Sequence, residues 1–96
     1  MMIIVDVREP EEFEAEHIEG AVNIPLSVLE EKSPAFFEEN PGSEIVAMCR
    51  SGARSEKAMH YWIDHHLVDE DLITNYRGGM LRWVQEGNET VKPVLQ

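Results

Sequence analysis

The chain has 96 residues, of which 43% are hydrophobic and 28% charged, with one cysteine and a formal net charge of −11. This length suits one domain with a modest core, and the acidic balance argues against nucleic acids and anionic membranes, which bind basic surfaces. No apolar run reaches the roughly 18 residues that cross a bilayer. The opening "MMIIV" lacks the basic residues of a signal peptide, and one cysteine cannot form an internal disulfide. We therefore expect a cytoplasmic protein.

The pattern of apolar residues predicts strands alternating with helices. In chain order we expect a strand at 2–7, a helix at 9–17, a strand at 21–24, two short helical pieces within 26–40 hinged at Ser33-Pro34, a strand at 45–48, a helix at 54–66, a strand at 71–74 and a helix at 80–87. Residues 88–96 are predicted to be a C-terminal tail, and residues 1–96 to form one domain.

This alternation predicts an α/β fold with a mostly parallel sheet flanked by helices. Ligands of such sheets sit at the carboxyl ends of the strands. Arg8, Cys49 and the glycine turn at 75–80 each follow a predicted strand, so we expect these loops to meet at one edge.

The segment "IVAMCRSGARS", residues 45–55, places the only cysteine between a strand and a basic cluster. A free thiol is mostly protonated at neutral pH, but positive charge and a helix amino end lower its pKa. Arg50, Arg54 and an anion-binding turn at Gly52 therefore predict that Cys49 is a reactive thiolate. A lone cysteine often serves only as a small buried apolar residue, and the basic cluster favours the nucleophile instead.

The spacing within this loop distinguishes two reaction classes. Only the four residues "RSGA" separate Cys49 from Arg54, whereas protein tyrosine phosphatases place one more residue there. The shorter loop favours a persulfide sulfur or thiosulfate over a phosphate monoester. Arsenate reductase chemistry is disfavoured too, because it generally needs further thiols.

Three segments in order resemble a single-domain rhodanese: "VDVREPEEFEAEHIEGAVNIPL" (5–26), "IVAMCRSGARS" (45–55) and "LITNYRGGMLRW" (72–83). The resemblance implies a three-layer rhodanese-like fold that lacks the family's usual N-terminal strand and helix, which leaves a sheet edge open for a homodimer. It also implies a persulfide on Cys49, held by the amides of the active-site loop: Arg50, Ser51, Gly52, Ala53 and Arg54.

The remaining motif residues are expected to support the site rather than to react. Asp6 and Arg8 match the family's Asp-Val-Arg and are interpreted as a structural pair. Gly78, together with Gly79, is expected to allow close packing beside the loop. His17 is interpreted as a hydrogen-bonding turn residue, and the other histidines as surface residues, so we expect no metal and no cofactor.

These features predict a sulfurtransferase that moves a sulfane sulfur from thiosulfate or a persulfide to a thiol, to cyanide or to an acceptor protein. The alternative is a non-enzymatic rhodanese-like module that carries sulfur or binds a partner. A cysteine-dependent phosphatase or arsenate reductase is the third reading. A monomer and a weak homodimer both remain open.

Overall fold

The computed structural model describes residues 1–93, which form a four-stranded parallel sheet flanked by helices. The strands are β1 (Met2–Asp6), β2 (Val22–Asn23), β3 (Glu44–Met48) and β4 (Ile73–Asn75). The helices are α1 (Pro10–Ala15), α2 (Leu29–Glu39), α3 (Ala53–Asp64) and α4 (Gly79–Gln85), with short 3-10 turns at Leu26–Val28 and Glu70–Leu72. The predicted α/β class is confirmed.

The order of the strands across the sheet is β2-β1-β3-β4, and every neighbouring pair is parallel. In the register, Val5 of β1 lies opposite Ala47 of β3, and Ala47 lies opposite Asn75 of β4. The carboxyl ends of β1, β3 and β4 therefore share one edge, and the segments that follow them lie side by side.

Apolar layers cover both faces of the sheet. On one face, side chains such as Val5 and Ala47 pack with Phe37 of α2 and Trp62 of α3. On the other face, a second cluster joins Met48 of β3 to Ile18 and to Met80 of α4. Burial on both faces explains why β1 and β3 read as apolar runs rather than as alternating strands.

Helix α2 corrects the prediction of two pieces hinged at Ser33-Pro34. The helix runs unbroken from Leu29 to Glu39 with Pro34 inside it. Leu29, Ser33 and Phe37 are buried along one face, Trp62 Nε1 donates to Ser33 Oγ at 2.8 Å, and the Phe37 and Trp62 rings meet edge to face at 5.4 Å. Packing across the proline outweighs the single backbone hydrogen bond that proline removes.

The C-terminal half differs from prediction at two places. The segment predicted as a strand at 71–74 begins as a 3-10 turn, and β4 starts only at Ile73. The tail predicted at 88–96 returns to the domain, because Val91 and His17 exchange backbone hydrogen bonds of 2.6 and 3.0 Å. Residues 94–96 of that tail lie outside the described residues.

The longest helix among residues 1–93 is α3, with 12 residues. Within that range, none of the helices has the length and apolar character needed to cross a membrane.

Candidate active site

Cys49 is the first residue after β3, and its thiol is buried, with only 1% of the residue exposed. The neighbouring chain segments are bonded to the end of this strand. Val7 N–H donates to Met48 O at 2.8 Å, and Tyr76 N–H donates to Ala47 O at 2.9 Å. The structure therefore brings the segments after β1, β3 and β4 together around the cysteine, as the chain pattern predicts.

Two hydrogen-bond donors in the turn that starts α3 lie within reach of the sulfur. Gly52 N–H lies 3.0 Å from Cys49 Sγ, and Ser55 Oγ lies 3.3 Å from it. Gly52 has φ +108°, and an added Cβ would sit 3.2 Å from Gly78 N. Glycine is thus suited to this position on both conformational and steric grounds.

These contacts set the ionisation of the thiol. Burial raises the pKa of Cys49, but hydrogen bonds from the Ser55 hydroxyl and from the backbone N–H groups of Ser55, Gly52 and Ser51 lower it more. The net pKa lies below the ordinary value for a thiol. The predicted direction is thus found, and the loop amides contribute to it as predicted. The Ser55 hydroxyl is the largest cause that lowers the pKa and was not predicted, while neither arginine is among the five largest causes.

Ser55 and Asn75 are site residues that the sequence pattern did not reveal. The Ser55 hydroxyl is fully buried and lies 2.5 Å from Asn75 Oδ1 and 3.2 Å from Gly52 O, while Asn75 Nδ2 donates to Gly52 O at 3.0 Å. A hydroxyl has a single hydrogen to donate, so the sulfur shares this donor with two oxygen acceptors. The one available signal was the position of Ser55, which directly follows Arg54 at the end of the loop.

The start of α4 holds the loop from the other side. Met80 N–H donates to Cys49 O at 2.8 Å, and Leu81 N–H donates to Arg50 O at 3.0 Å. Gly79 has φ +56°, and an added Cβ would lie 2.5 Å from the carbonyl carbon of Arg50. With its carbonyls bonded outward to α4, the loop can turn its amides toward the sulfur.

Gly78, the predicted supporting glycine, has φ +87° and lies beside Gly52, but Gly79 is the glycine whose missing side chain lets α4 approach the loop. Gly78 instead makes room for its own helix, since an added Cβ would lie 2.7 Å from Arg82 Cβ.

The two arginines of the loop have different surroundings. The Arg54 guanidinium donates to both oxygens of Glu12 in α1, with N···O distances of 2.6 and 2.9 Å. Arg50 is exposed, as are Ser51 and Ala53. Arg54 therefore links α3 to α1, and Arg50 projects from the surface of the loop.

Asp6 and Arg8 form a buried pair at the end of β1. Arg8 Nη2 donates to Asp6 Oδ2 at 2.8 Å and to Glu16 O at 2.6 Å, and Asn23 Nδ2 donates to the carbonyls of both residues. These bonds tie β1 to the end of α1 and to β2. The geometry agrees with a structural role for the pair.

A cavity of about 380 Å³ lies between α1, the thiol loop and α4. Its walls combine charged and apolar side chains: Arg8, Glu12, Ala15, Glu16, Arg50, Met80, Leu81 and Val84. Leu81 and Val84 are 53% and 45% exposed. Arg50 lines this cavity together with Glu12.

The histidines lie away from the thiol contacts. His17 is half-buried, with Nδ1 2.8 Å from Phe13 O and its ring stacked on Phe13. His60, His65 and His66 are exposed. Within residues 1–93, no three His, Cys, Asp or Glu side chains are grouped to hold a metal ion.

Comparison with known protein families identifies the family to which this fold and site belong. The model of the Rhodanese-like domain matches residues 1–86. The chain belongs to the rhodanese-like family. A rhodanese-related protein of Thermoplasma volcanium has a similar solved structure, with a TM-score of 0.79, 29% identity, and coverage of 94% of this chain and 83% of that one. The three-layer rhodanese-like fold implied by the sequence resemblance is confirmed.

Curated relatives include proteins named for sulfur transfer. The chain is 31% identical over 93 residues to a sulfurtransferase of Allochromatium vinosum, covering 96% of this chain and 80% of that protein. It is 49% identical over 55 residues to YrkF, a putative sulfur carrier protein of Bacillus subtilis, covering 57% of this chain and 28% of that protein. It is 38% identical over 91 residues to the uncharacterized protein slr1261 of Synechocystis, covering 95% of this chain. The chain spans 48% of the length of slr1261.

Proposed function

We propose that this protein is a sulfurtransferase that carries a sulfane sulfur as a persulfide on Cys49. The observation that carries the proposal is the environment of Sγ, a buried sulfur that accepts hydrogen bonds from Gly52 N–H at 3.0 Å and Ser55 Oγ at 3.3 Å. Such donors favour the thiolate over the thiol. The thiolate is the nucleophilic form of cysteine.

Two displacement steps account for the transfer. In the first, the Cys49 thiolate attacks the outer sulfur of thiosulfate or of a persulfide. A new S–S bond forms to Sγ, the donor's S–S bond breaks, and its electron pair leaves with sulfite or with a thiolate. In the second, a thiolate or cyanide attacks the outer sulfur of the persulfide, and the Cys49 thiolate leaves.

The loop supplies the groups that these steps need. Its backbone amides face the sulfur and suit an anionic outer sulfur, and Arg50 provides an exposed cation for an incoming anionic donor. Cys49 is the one cysteine in the chain, so an external nucleophile has to remove the sulfur. Acceptors of this kind are small thiols, cyanide or the thiol of a partner protein.

Replacing the nucleophile tests the proposal. We expect Cys49→Ser to lose the formation of thiocyanate from thiosulfate and cyanide while its circular dichroism spectrum stays unchanged, because serine is only slightly smaller than cysteine and lacks the sulfur. Ser51→Ala, at an exposed position of the same loop, is the matched control and should retain turnover. Substantial turnover by Cys49→Ser would contradict the assignment.

The second candidate is a sulfur carrier or a partner-binding module, favoured by the 49% identity with the putative sulfur carrier YrkF. A carrier would accept one sulfur on Cys49 and release it only to a partner protein. An enzyme releases many equivalents of thiocyanate per cysteine. Counting turnovers with small donors and acceptors therefore separates the two functions.

A further inference from the structure

A bidentate ion pair closes one side of the thiol loop. Arg54 Nη1 lies 2.6 Å from Glu12 Oε1 and Arg54 Nη2 lies 2.9 Å from Glu12 Oε2. Both oxygens of the carboxylate are used, and the Glu9 N–H also donates to Glu12 Oε1 at 3.1 Å. The carboxylate is thus held in one place by α1 and α3 together, about one-third exposed to solvent.

Glu12 keeps its negative charge throughout the physiological range. The hydrogen bond from Arg54 lowers the pKa of Glu12 to about 2, although burial opposes this shift. Arg54 therefore always faces a carboxylate. Glu12 occupies one N–H of each outer nitrogen of Arg54, so a donor that binds the remaining N–H groups also meets the negative charge of Glu12.

Among the arginines at the site, Arg50 is the one whose charge is available to an incoming anion. Arg8 is paired with Asp6 and Arg54 is paired with Glu12. Arg50 is exposed, and no carboxylate within residues 1–93 forms an ion pair with it. Since Glu12 and Arg50 line the same cavity, an anion bound at Arg50 also feels the field of Glu12.

We propose that Glu12 is a specificity-determining residue that disfavours doubly charged sulfur donors, so that the preferred donors are monoanionic persulfides or thiosulfonates. The inference rests on the proposed sulfurtransferase function and concerns the choice of donor at the same site. Around Arg50 the cavity is also lined by the carboxylates of Glu12 and Glu16, so the second charge of a dianion doubles its repulsion from them as well as its attraction to Arg50. A monoanion meets half of that repulsion, so Glu12 penalises it half as much as it penalises a dianion.

Two donors of nearly the same shape isolate the effect of charge. Thiosulfate carries two charges and releases sulfite when the Cys49 thiolate takes its outer sulfur. Methanethiosulfonate carries one charge and releases methanesulfinate in the same displacement, because a methyl group replaces one oxygen. In both reactions the Sγ–S bond forms, the donor's S–S bond breaks, and the electron pair leaves with the departing anion.

The experiment compares kcat/KM for the two donors in wild type and in Glu12→Gln. Glutamine can still accept the bond from the Glu9 N–H, which preserves the start of α1. Removing the carboxylate's charge lessens the repulsion of both donors, and the gain in free energy is twice as large for the dianion. We expect kcat/KM for thiosulfate, divided by kcat/KM for methanethiosulfonate, to be about tenfold higher in Glu12→Gln than in wild type. This change corresponds to about 1.4 kcal/mol.

The matched control is Glu11→Gln, which removes the same charge from an exposed neighbour on α1 that does not contact Arg54. Solvent screens an exposed charge at a distance, so this variant should change the ratio less than about twofold. An equal effect in the two variants would show that net charge, and not Glu12, sets the preference, and would overturn the inference.

A second pair of variants shows whether Arg54 itself binds the donor. Arg54→Gln leaves the Glu12 charge uncompensated, so kcat/KM for thiosulfate relative to that for methanethiosulfonate should fall below the wild-type value. The double variant Glu12→Gln/Arg54→Gln should restore the ratio to the wild-type value or above it. A double variant as poor as Arg54→Gln would mean that Arg54 is a direct donor ligand, which would overturn the inference.

The readouts separate this inference from the function on which it rests. If both donors add sulfur to wild-type Cys49 and Glu12→Gln leaves their ratio unchanged, the specificity role is wrong while the sulfurtransferase stands. If neither donor adds sulfur to wild type, the sulfurtransferase assignment fails, and the specificity role fails with it. Thermal unfolding of each variant shows that the fold is retained.

Discussion

Ser55 Oγ lies 3.3 Å from Cys49 Sγ, and the same hydroxyl lies 2.5 Å from Asn75 Oδ1. The hydroxyl belongs to the first turn of α3 and the thiol to the residue that follows β3, so the strand and the helix together fix the contact. The Ser55 hydroxyl can donate its hydrogen either to Cys49 Sγ or to Asn75 Oδ1, so ionisation of the thiol is linked to the orientation of this hydroxyl. Asn75, at the end of β4, connects a third element of the sheet edge to the sulfur.

Replacing Ser55 should raise the pKa of the thiol. Ser55→Ala removes the hydroxyl that lowers the pKa of Cys49 and retains the backbone amides, so alkylation by iodoacetamide at neutral pH should slow several-fold. The measurement is the alkylation rate as a function of pH. Ser51→Ala, which also retains its amide, should leave the profile unchanged. Identical profiles for wild type and Ser55→Ala would refute the role of the hydroxyl.

Much of this site could be predicted from local sequence. Cys49 follows a strand, and a glycine lies at the start of the next helix. Both features lie within one short segment, so the thiol loop could be predicted from that segment alone. Ser55, Asn75 and the Glu12–Arg54 pair depend on contacts between distant parts of the chain. Glu12 and Arg54, for example, are 42 positions apart in the sequence. Spacing along one segment contains no information about such contacts.

The same distinction explains the errors in the fold. The hinge at Ser33-Pro34 was a sound local expectation, but the packing of Ser33 and Phe37 against Trp62 keeps the helix continuous. The sequence predicts a tail at 88–96, yet Val91 pairs with His17, far earlier in the chain. In each case a long-range contact overrode the local preference.

The close approach of α4 to the loop predicts a large effect of a small substitution. Gly79→Ala places a methyl group against the backbone of Cys49 and Arg50 at φ +56°. We expect it to destabilise the fold by more than about 2 kcal/mol and to slow sulfur transfer, because the backbone has to move. Urea unfolding measures the change.

Gly87→Ala is the matched control for that prediction. Gly87 also has a positive φ, +83°, but an added Cβ would meet nothing within 4 Å. Its cost should be about 1 kcal/mol, from conformation alone. Equal losses of stability in the two variants would show that the packing of Gly79 on the loop contributes nothing.

The Glu12–Arg54 pair should give a defined dependence of stability on acid. The pKa of Glu12 is lowered from 4.5 to about 2, so its contribution is fully present above pH 4.5 and is lost as the pH falls through about 2. Because the pair is about one-third exposed, the effect should stay below about 1 kcal/mol. The difference in unfolding free energy between wild type and Glu12→Gln should shrink over that interval. A constant difference down to acid pH would show that the pair does not stabilise the fold.

The length of the loop predicts negligible phosphatase activity. Four residues separate Cys49 from Arg54, and the Arg54 guanidinium is occupied by Glu12. Neither feature suits a phosphate monoester, which needs a wider ring of donors. Hydrolysis of an aryl phosphate should therefore remain at background. A clear kcat that disappears in Cys49→Ser would show that the ring-size argument is wrong.

The central claim is that Cys49 carries the transferred sulfur. Mass spectrometry of the intact protein and of its Cys49 peptide, after incubation with thiosulfate or methanethiosulfonate, tests it most directly. The account predicts one added sulfur atom on Cys49 in the wild type, none in Cys49→Ser, and loss of that sulfur as thiocyanate when cyanide is added. Wild-type protein without added sulfur from either donor, or an added sulfur that persists in Cys49→Ser, would contradict it.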